Sequence, residues 1–214
     1  MPIDKKAEKQ WDRSQNAYDH YIRFIAGKSD RYTLTFADLV FVKNFKGGSA
    51  IIAESVTGLA AKLGYYEKAS RLYAADPAFC CTLSTILDQD YVRVRDLMVS
   101  FADLPNKPAS DINGFGCSFA SALLHFYFPD VVPILDRRAL NGSGIDLKSL
   151  PVDNFNNVQN LLAHYPDLID AFRSQLQSQS GLALRQLDRN FFVRQLQMPP
   201  FFRKKAELRQ SLEF

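Results

Sequence analysis

The chain of 214 residues has no apolar run long enough to cross a bilayer, and its first residues lack the apolar stretch of a secretory signal peptide. From these two absences we expect a cytoplasmic protein with no membrane partner. Its three cysteines, of which Cys80 and Cys81 are adjacent, are too few for a disulfide framework, and none lies in a Cys-x-x-Cys pair. We expect them to be buried apolar side chains.

Motifs for metal and cofactor chemistry are also missing. The three histidines, His20, His125 and His164, are too scattered to form a zinc site. The chain contains no phosphate-binding P-loop, no dinucleotide fingerprint and no Gly-x-Ser-x-Gly elbow. The sequence therefore predicts no metal and no cofactor. His125 stands in an apolar stretch, where the role of a hydrogen-bonded core histidine is more common than that of a catalytic base.

The chain has little net charge. Its formal charge is +3, with 47% hydrophobic and 23% charged residues, a composition typical of a soluble globular protein. The length suits a single domain over residues 1–214, and we expect a monomer. Positive charge is concentrated in residues 185–209, which contain seven basic and two acidic side chains. Such a run is typical of a solvated face, and a surface that follows a phosphate backbone is the alternative.

No alternating pattern typical of β-strands extends beyond a few residues, whereas apolar residues repeat at spacings of three and four along most of the chain. We therefore predict an all-α fold, a compact helical bundle in two lobes. The N-terminal and C-terminal helices are candidates to pack together as one lobe.

The boundaries of the predicted helices follow from caps, glycines and prolines. In the first half we predict an amphipathic helix that Gly27 ends, a second over 34–45, a third from an N-cap at Ser49 to a cap at Gly64, a start at Asp76-Pro77, and one from Asp90 to before Pro105. Residues 141–144 are predicted to be a linker or a loop over a cleft. Later helices are predicted around Val158 to Tyr165, interrupted by Pro166, then over 168–176, and over 184–192 with Pro199-Pro200 beyond.

The most informative stretch is 112–140. Gly114 and Gly116 allow a tight turn and close approach of the main chain to another molecule. A helix can begin after them at Cys117 or Ser118, with its free N–H groups directed at a bound anion. Residues 119–128 are almost all apolar or small, which predicts a buried central helix that Pro129 ends. Asp136 follows three apolar residues and a proline that would fix its backbone.

Gly-Phe-Gly at 114–116, the small-residue helix and Pro-Ile-Leu-Asp at 133–136 together resemble the helix-hairpin-helix signature of the base-excision DNA glycosylase superfamily (HhH-GPD). The resemblance places the hairpin and catalytic loop at 110–140, with a short first hairpin helix starting near Ser110. It implies that the hairpin residues Gly114, Phe115, Gly116 and Ser118 bind DNA and that Asp136 is the catalytic carboxylate. The implied partner is double-stranded DNA with a modified or mismatched base.

The chain departs from the family pattern at three places. It has Ile112-Asn113-Gly114 where members usually have Leu-Pro-Gly, and the four-cysteine iron–sulfur loop of some branches is missing. Ser118 stands where bifunctional members carry lysine, so the resemblance implies a monofunctional N-glycosylase that uses water and cleaves no strand.

Each piece also has a plainer interpretation. A Gly-x-Gly pair is most often a turn, and an aspartate before two arginines is most often a helix N-cap or a surface ion pair. The alternatives for the whole chain are a non-catalytic protein that binds DNA structures and an enzyme acting on a small nucleoside-like substrate. Cys117, at a helix start that would lower a thiol pKa, is a weaker candidate nucleophile because no base can be named beside it.

Overall fold

A computed structural model describes residues 5–47, 51–145 and 160–194. These residues form eight α-helices and no β-strand, which confirms the all-α prediction. The helices are α1 (Lys5–Ala26), α2 (Phe36–Lys46), α3 (Val56–Ala74), α4 (Asp88–Ala102), α5 (Cys117–Tyr127), α6 (Arg137–Ser143), α7 (Tyr165–Ser178) and α8 (Leu184–Phe192). None of the helices in these ranges is long and apolar enough to cross a membrane.

The first two helices end where the sequence predicts. The buried face of α1 includes Trp11, Tyr21 and Ile25, and the helix stops one residue before Gly27. Helix α2 begins after Thr35 with a capping box, and Gly47 closes it in the left-handed conformation with φ of 64°. Gly47 ends the helix, so Lys46 is the last residue of a helix that is capped at both ends.

The predicted bounds of the third helix are wrong. Residues 51–55 are not helical, and α3 begins at Val56, where the Ser55 side chain accepts a hydrogen bond from the Gly58 N–H at 3.1 Å. Gly64 lies inside the helix, which continues to Ala74 through buried Tyr66 and Tyr73. A single glycine did not stop a helix whose later turns bury aromatic side chains in the core.

The short first hairpin helix predicted near Ser110 is also absent. Helix α4 occupies its predicted place, and a 3-10 turn, Leu104–Asn106, follows it, but residues 107–116 form turns. Side chains replace the helical hydrogen bonds there, since Ser110 Oγ donates to the Leu104 carbonyl at 2.7 Å and Tyr66 donates to the Ser110 carbonyl at 3.0 Å. The other short helix, Pro77–Cys80 behind the Asp76 cap, is confirmed as a 3-10 helix.

Helix α5 is the central helix that the sequence predicts. Every residue from Ala120 to Tyr127 is buried, and α5 packs against α2 and α4. Residues 141–143, predicted to be a linker or loop, instead form the end of α6. Gly142 is required there because a Cβ would lie 2.2 Å from the Phe191 carbonyl oxygen, so α6 and α8 pack backbone to backbone.

Two smaller predictions need correction. Within the described residues, the helix predicted around Val158 to Tyr165 is a 3-10 helix, Leu161–His164, and α7 begins directly after it. Pro166 lies in the first turn of α7, where a proline loses no helical hydrogen bond. Cys80 and Cys81 are exposed, not buried, and Cys117 is half-buried. Val158, Ser49 and Pro199-Pro200 lie outside the described residues.

The first and last described helices pack together. The rings of Trp11 and Phe192 lie 5.4 Å apart, and Arg189 binds Glu8 at 3.0 Å. Buried apolar residues from Ala17 to Phe191 form one continuous cluster. The division into two lobes stays a prediction. The helix-hairpin-helix motif is not shown, since the first helix predicted for it near Ser110 is absent.

Candidate active-site cleft

A cleft opens where α1, α2, α6 and α8 meet. The empty space in the cleft and at its mouth, open solvent included, is about 360 Å³. Its lining residues are Gln10, Trp11 and Ser14 of α1, Phe45 and Lys46 of α2, Ile134 and Asp136 before α6, and Arg185, Asp188 and Phe192 of α8. Four charged side chains and three aromatic rings thus share one small space.

Asp136, the aspartate that the sequence singles out, lies in this cleft with its side chain 19% exposed. It is the N-cap of α6, and its Oδ1 accepts a hydrogen bond from the Ala139 N–H at 2.8 Å. Its Oδ2 lies 3.3 Å from Nζ of Lys46. The cap and the ion pair fix the carboxylate with one oxygen directed toward the cleft cation. Asp136 is therefore both a helix N-cap and a member of an ion pair, and it lies in a cleft instead of on an open surface.

The backbone that carries Asp136 is held by hydrogen bonds from α5 and α7. Ser118 Oγ donates to the Leu135 carbonyl at 2.7 Å, and Ser121 Oγ accepts from the Leu135 N–H at 3.0 Å. Tyr165 donates to the Pro133 carbonyl at 2.6 Å. Buried side chains thus set the position of the carboxylate, which is what a preorganised catalytic group needs.

Lys46 is the site residue that sequence reasoning missed. It lies ninety positions before Asp136 in the chain, and its side chain is only 12% exposed. The lysine belongs to an ordinary amphipathic helix with no motif around it, so only the packing of α2 on α5 brings it to the cleft.

The α8 wall of the cleft is an ion pair packed on aromatic rings. Arg185 Nη1 donates to Asp188 Oδ2 at 2.7 Å. The Arg185 guanidinium lies 3.9 Å from the centre of the Trp11 ring, 4.6 Å from that of Tyr18 and 5.3 Å from that of Phe45. The sequence suggested this arginine only as one cation of a basic run.

Burial sets the protonation of this pair. Loss of water raises the pKa of Asp188 to about 6, although the Arg185 charge acts in the opposite direction. The same burial lowers the pKa of Arg185, against the Asp188 charge. Asp136, by contrast, lies half-buried beside a backbone donor and an ammonium group. The cleft therefore holds two carboxyl groups in different environments, an arrangement typical of acid–base sites.

The predicted hairpin turn is largely occupied by the chain itself. Gly114 has φ of 82°, as a tight turn needs, and a Cβ there would lie 2.3 Å from the Ile51 carbonyl oxygen. The neighbouring Asn113 N–H donates to Oε1 of Glu54 at 3.0 Å. Gly116 differs, because a Cβ there would meet no atom within 4 Å. Of the two glycines, only Gly116 has an open face, and the DNA-binding role of both stays a prediction.

The other candidates of this segment have structural contacts. The Phe115 ring is buried and packs edge to face on Tyr66, and the Phe115 N–H donates to the Ile112 carbonyl at 2.8 Å. Burial raises the pKa of the Cys117 thiol, which argues against an activated nucleophile. His125 is a core histidine as predicted, with Nδ1 2.7 Å from the Val132 carbonyl oxygen and a pKa lowered to about 3 by burial.

Positive charge is concentrated in the four helices that form the cleft. Helices α1, α2, α6 and α8 contain eleven lysines and arginines and five acidic residues. The rest of the chain holds fifteen basic and eighteen acidic residues, so its net charge is negative. The four helices together therefore carry an excess of six positive charges. Within the described residues, no group of three or more His, Cys, Asp or Glu side chains is arranged to hold a metal ion.

Comparison with known proteins identifies no relative. No protein-family model matches the chain, and neither the curated proteins nor the solved structures include a significant match. The likeness to HhH-GPD glycosylases therefore depends on residues 112–140 alone.

Proposed function

We propose that this protein binds duplex DNA and removes a modified or mismatched base by hydrolysis of the N-glycosidic bond. The observation that carries the proposal is the position of Asp136, a fixed carboxylate beside Lys46 in a cleft that aromatic rings line. The HhH-GPD resemblance of the segment around it supports the same reaction.

The chemistry follows from what such a bond needs to break. Departure of the base builds positive charge on the sugar, and a preorganised carboxylate stabilises that charge more than it stabilises the neutral ground state. Asp136 Oδ2 faces the cleft and is the atom for this role, while Oδ1 stays on the α6 cap. The same carboxylate accepts a proton from the attacking water.

A base within a duplex cannot reach such a carboxylate, so the nucleotide must leave the helix stack. Trp11, Phe45 and Phe192 line the cleft, and the half-buried ring of Phe192 offers apolar surface to a planar base. The cations of the surrounding helices would hold the DNA backbone on either side. Such contacts depend strongly on salt concentration and weakly on sequence.

The test is a scan of the purified protein over duplexes that each carry one damaged or mismatched base. Release of a free base, detected by chromatography, supports the proposal. A protein that binds duplexes with a steep salt dependence but releases no base overturns the enzymatic part. A protein that neither binds nor releases a base overturns the whole.

The reaction is expected to be monofunctional, although Lys46 places an amine in the cleft. An amine attacks a sugar carbon only with a free electron pair, and the Lys46 amine lies against the Asp136 carboxylate as an ion pair. Borohydride treatment with an abasic duplex should therefore trap little protein on DNA. Efficient trapping that Lys46→Arg removes would show instead that Lys46 cleaves the strand.

A non-catalytic protein that binds DNA structures is the second candidate. The observation that favours it is that Asp136 already caps α6 and pairs with Lys46, which gives the residue a complete structural role. The two candidates separate in the scan, because only the first predicts a released base.

A further inference from the structure

The cleft contains a second carboxyl group that hydrolysis by Asp136 alone does not use. Asp188 lines the cleft from α8, across from the N-terminus of α6, and its side chain is 3% exposed. Buried carboxyl groups are uncommon unless they are paired, and this one has Arg185 as its partner at 2.7 Å. We ask what such a group does to a base bound between the two walls.

We propose that Asp188 is a second catalytic group, the general acid that protonates the leaving base while Asp136 stabilises the sugar. The inference rests on the proposed function. It assigns the two carboxyl groups different tasks because their surroundings differ. Asp136 caps α6 and pairs with Lys46, whereas Asp188 is buried and pairs with Arg185.

The reaction balances with these two groups and one water. The bond between C1′ and the base nitrogen breaks, and its electron pair goes to the base. The Asp188 carboxyl group gives its proton to a nitrogen or oxygen of the base, which leaves neutral. Water adds to C1′ and gives a proton to Asp136. Exchange with solvent then removes that proton from Asp136 and returns one to Asp188.

The groups around Asp188 fit this role. Arg185 on its own helix, Asp136 before α6, Lys46 of α2 and Tyr18 of α1 are the titratable or charged groups that act on it. Burial favours the neutral acid, and the negative charge of Asp136 favours it further. The positive charges of Arg185 and Lys46 act in the opposite direction and limit this rise in the pKa of Asp188. The acid can therefore lose its proton near neutral pH.

The inference specifies a class of substrate. A neutral base leaves slowly as an anion, so the acid accelerates its release. An alkylated base such as 7-methylguanine already carries positive charge and needs no proton. The structure therefore assigns the cleft to neutral bases with a ring nitrogen or carbonyl oxygen that can be protonated, and not to cationic alkylated bases.

The test compares the two leaving groups in one enzyme. Asp188→Asn should lose about 100-fold or more in the rate of release of a neutral base, a typical contribution of general acid catalysis. Its rate on a 7-methylguanine duplex should change only a few-fold. Asp167→Asn, an exposed aspartate of α7, is the matched control and should change neither rate.

A pH profile of the unmodified protein gives a second measurement that needs no folded variant. Release of a neutral base should slow above about pH 6, where Asp188 loses its proton, and release of 7-methylguanine should not. Equal losses on both bases in Asp188→Asn, or equal pH profiles, would show that Asp188 is a structural partner of Arg185. Release of cationic bases only would also overturn the inference while leaving the glycosylase function intact. Release of no base at all would overturn the proposed function itself.

Discussion

The hairpin turn and the cleft are the two ends of one segment, and they differ in what their polar groups bind. At the turn, the Asn113 N–H donates to Glu54, and the Ile51 carbonyl oxygen occupies the space beside Gly114. Both partners belong to the same chain. In the cleft, Asp136 and Lys46 from distant parts of the chain line an open space. A sequence pattern can therefore mark a turn and a site with equal clarity, and only the packed structure shows which one has room for a ligand.

The largest expected effect belongs to the cleft. Asp136→Asn keeps a good N-cap for α6 but removes the charge that stabilises the sugar cation, so base release should slow by roughly 100-fold to 1,000-fold. Duplex affinity should stay within a few-fold, because the carboxylate acts on the transition state. Single-turnover rates and a binding titration measure the two quantities. Undiminished release in a folded Asp136→Asn protein would remove Asp136 from the mechanism.

The next effect compares the two glycines of the turn. Gly114→Ala should lower the free energy of unfolding by about 2–4 kcal/mol, since it puts a Cβ in a left-handed conformation and against the Ile51 carbonyl oxygen. Gly116→Ala should change it by about 0.5 kcal/mol or less, because φ is −83° and no atom lies within 4 Å of the new Cβ. Urea unfolding of both variants provides the comparison.

The same pair tests the hairpin as a DNA contact. If Gly116 brings its backbone against a phosphate, Gly116→Val should bind all duplexes more weakly than the unmodified protein, whatever their sequence. Full duplex affinity in a folded Gly116→Val protein would show that the predicted hairpin is a structural turn only.

How much the sequence predicts also differs between the two regions. The all-α fold, the buried α5 and the position of Asp136 followed from periodicity and from one glycine–proline–aspartate pattern, all of which are local in the chain. Lys46, Arg185 and Asp188 reach the cleft by tertiary packing, and no local pattern marks them. The predicted end of α3 at Gly64 and the predicted linker or loop at residues 141–144 are wrong because Gly64 and Gly142 were interpreted as breaks. Gly64 lies within a helix whose later turns are anchored in the core, and Gly142 is small in order to let α8 approach.

The third prediction concerns the pH dependence of stability in the cleft. The pKa of Asp188 is raised to about 6 in the folded protein, so the folded state holds its proton more tightly than the unfolded chain does. Stability from this group is present at pH 4 and is lost as the pH rises through 6, by about 3 kcal/mol in total. Asp188→Asn removes this dependence of stability on pH. The variant is also less stable overall, because Arg185 loses its charged partner. Urea unfolding of both proteins from pH 4 to pH 7 measures their free energies of unfolding. The difference between the two free energies should narrow as the pH rises.

The smallest effect on stability is expected at the turn, from Glu54. Its dependence on pH is opposite in sign to that of Asp188. The Asn113 N–H and then the Lys62 ammonium, 2.8 Å away, lower the pKa of the Glu54 carboxylate from its usual value of 4.5. A carboxylate with a lowered pKa stabilises the fold above pH 4.5, and that stabilisation is lost as the pH falls through the folded-state value. Glu54→Gln keeps an acceptor for Asn113 but no charge, so its melting temperature should lie slightly below that of the unmodified protein at pH 6, and this difference should shrink as the pH falls toward 3. Because the Glu54–Lys62 pair is only partly buried, added salt should narrow the difference at pH 6. A difference that persists unchanged at pH 3 would show that the Glu54 contact stabilises the turn through shape and not through charge.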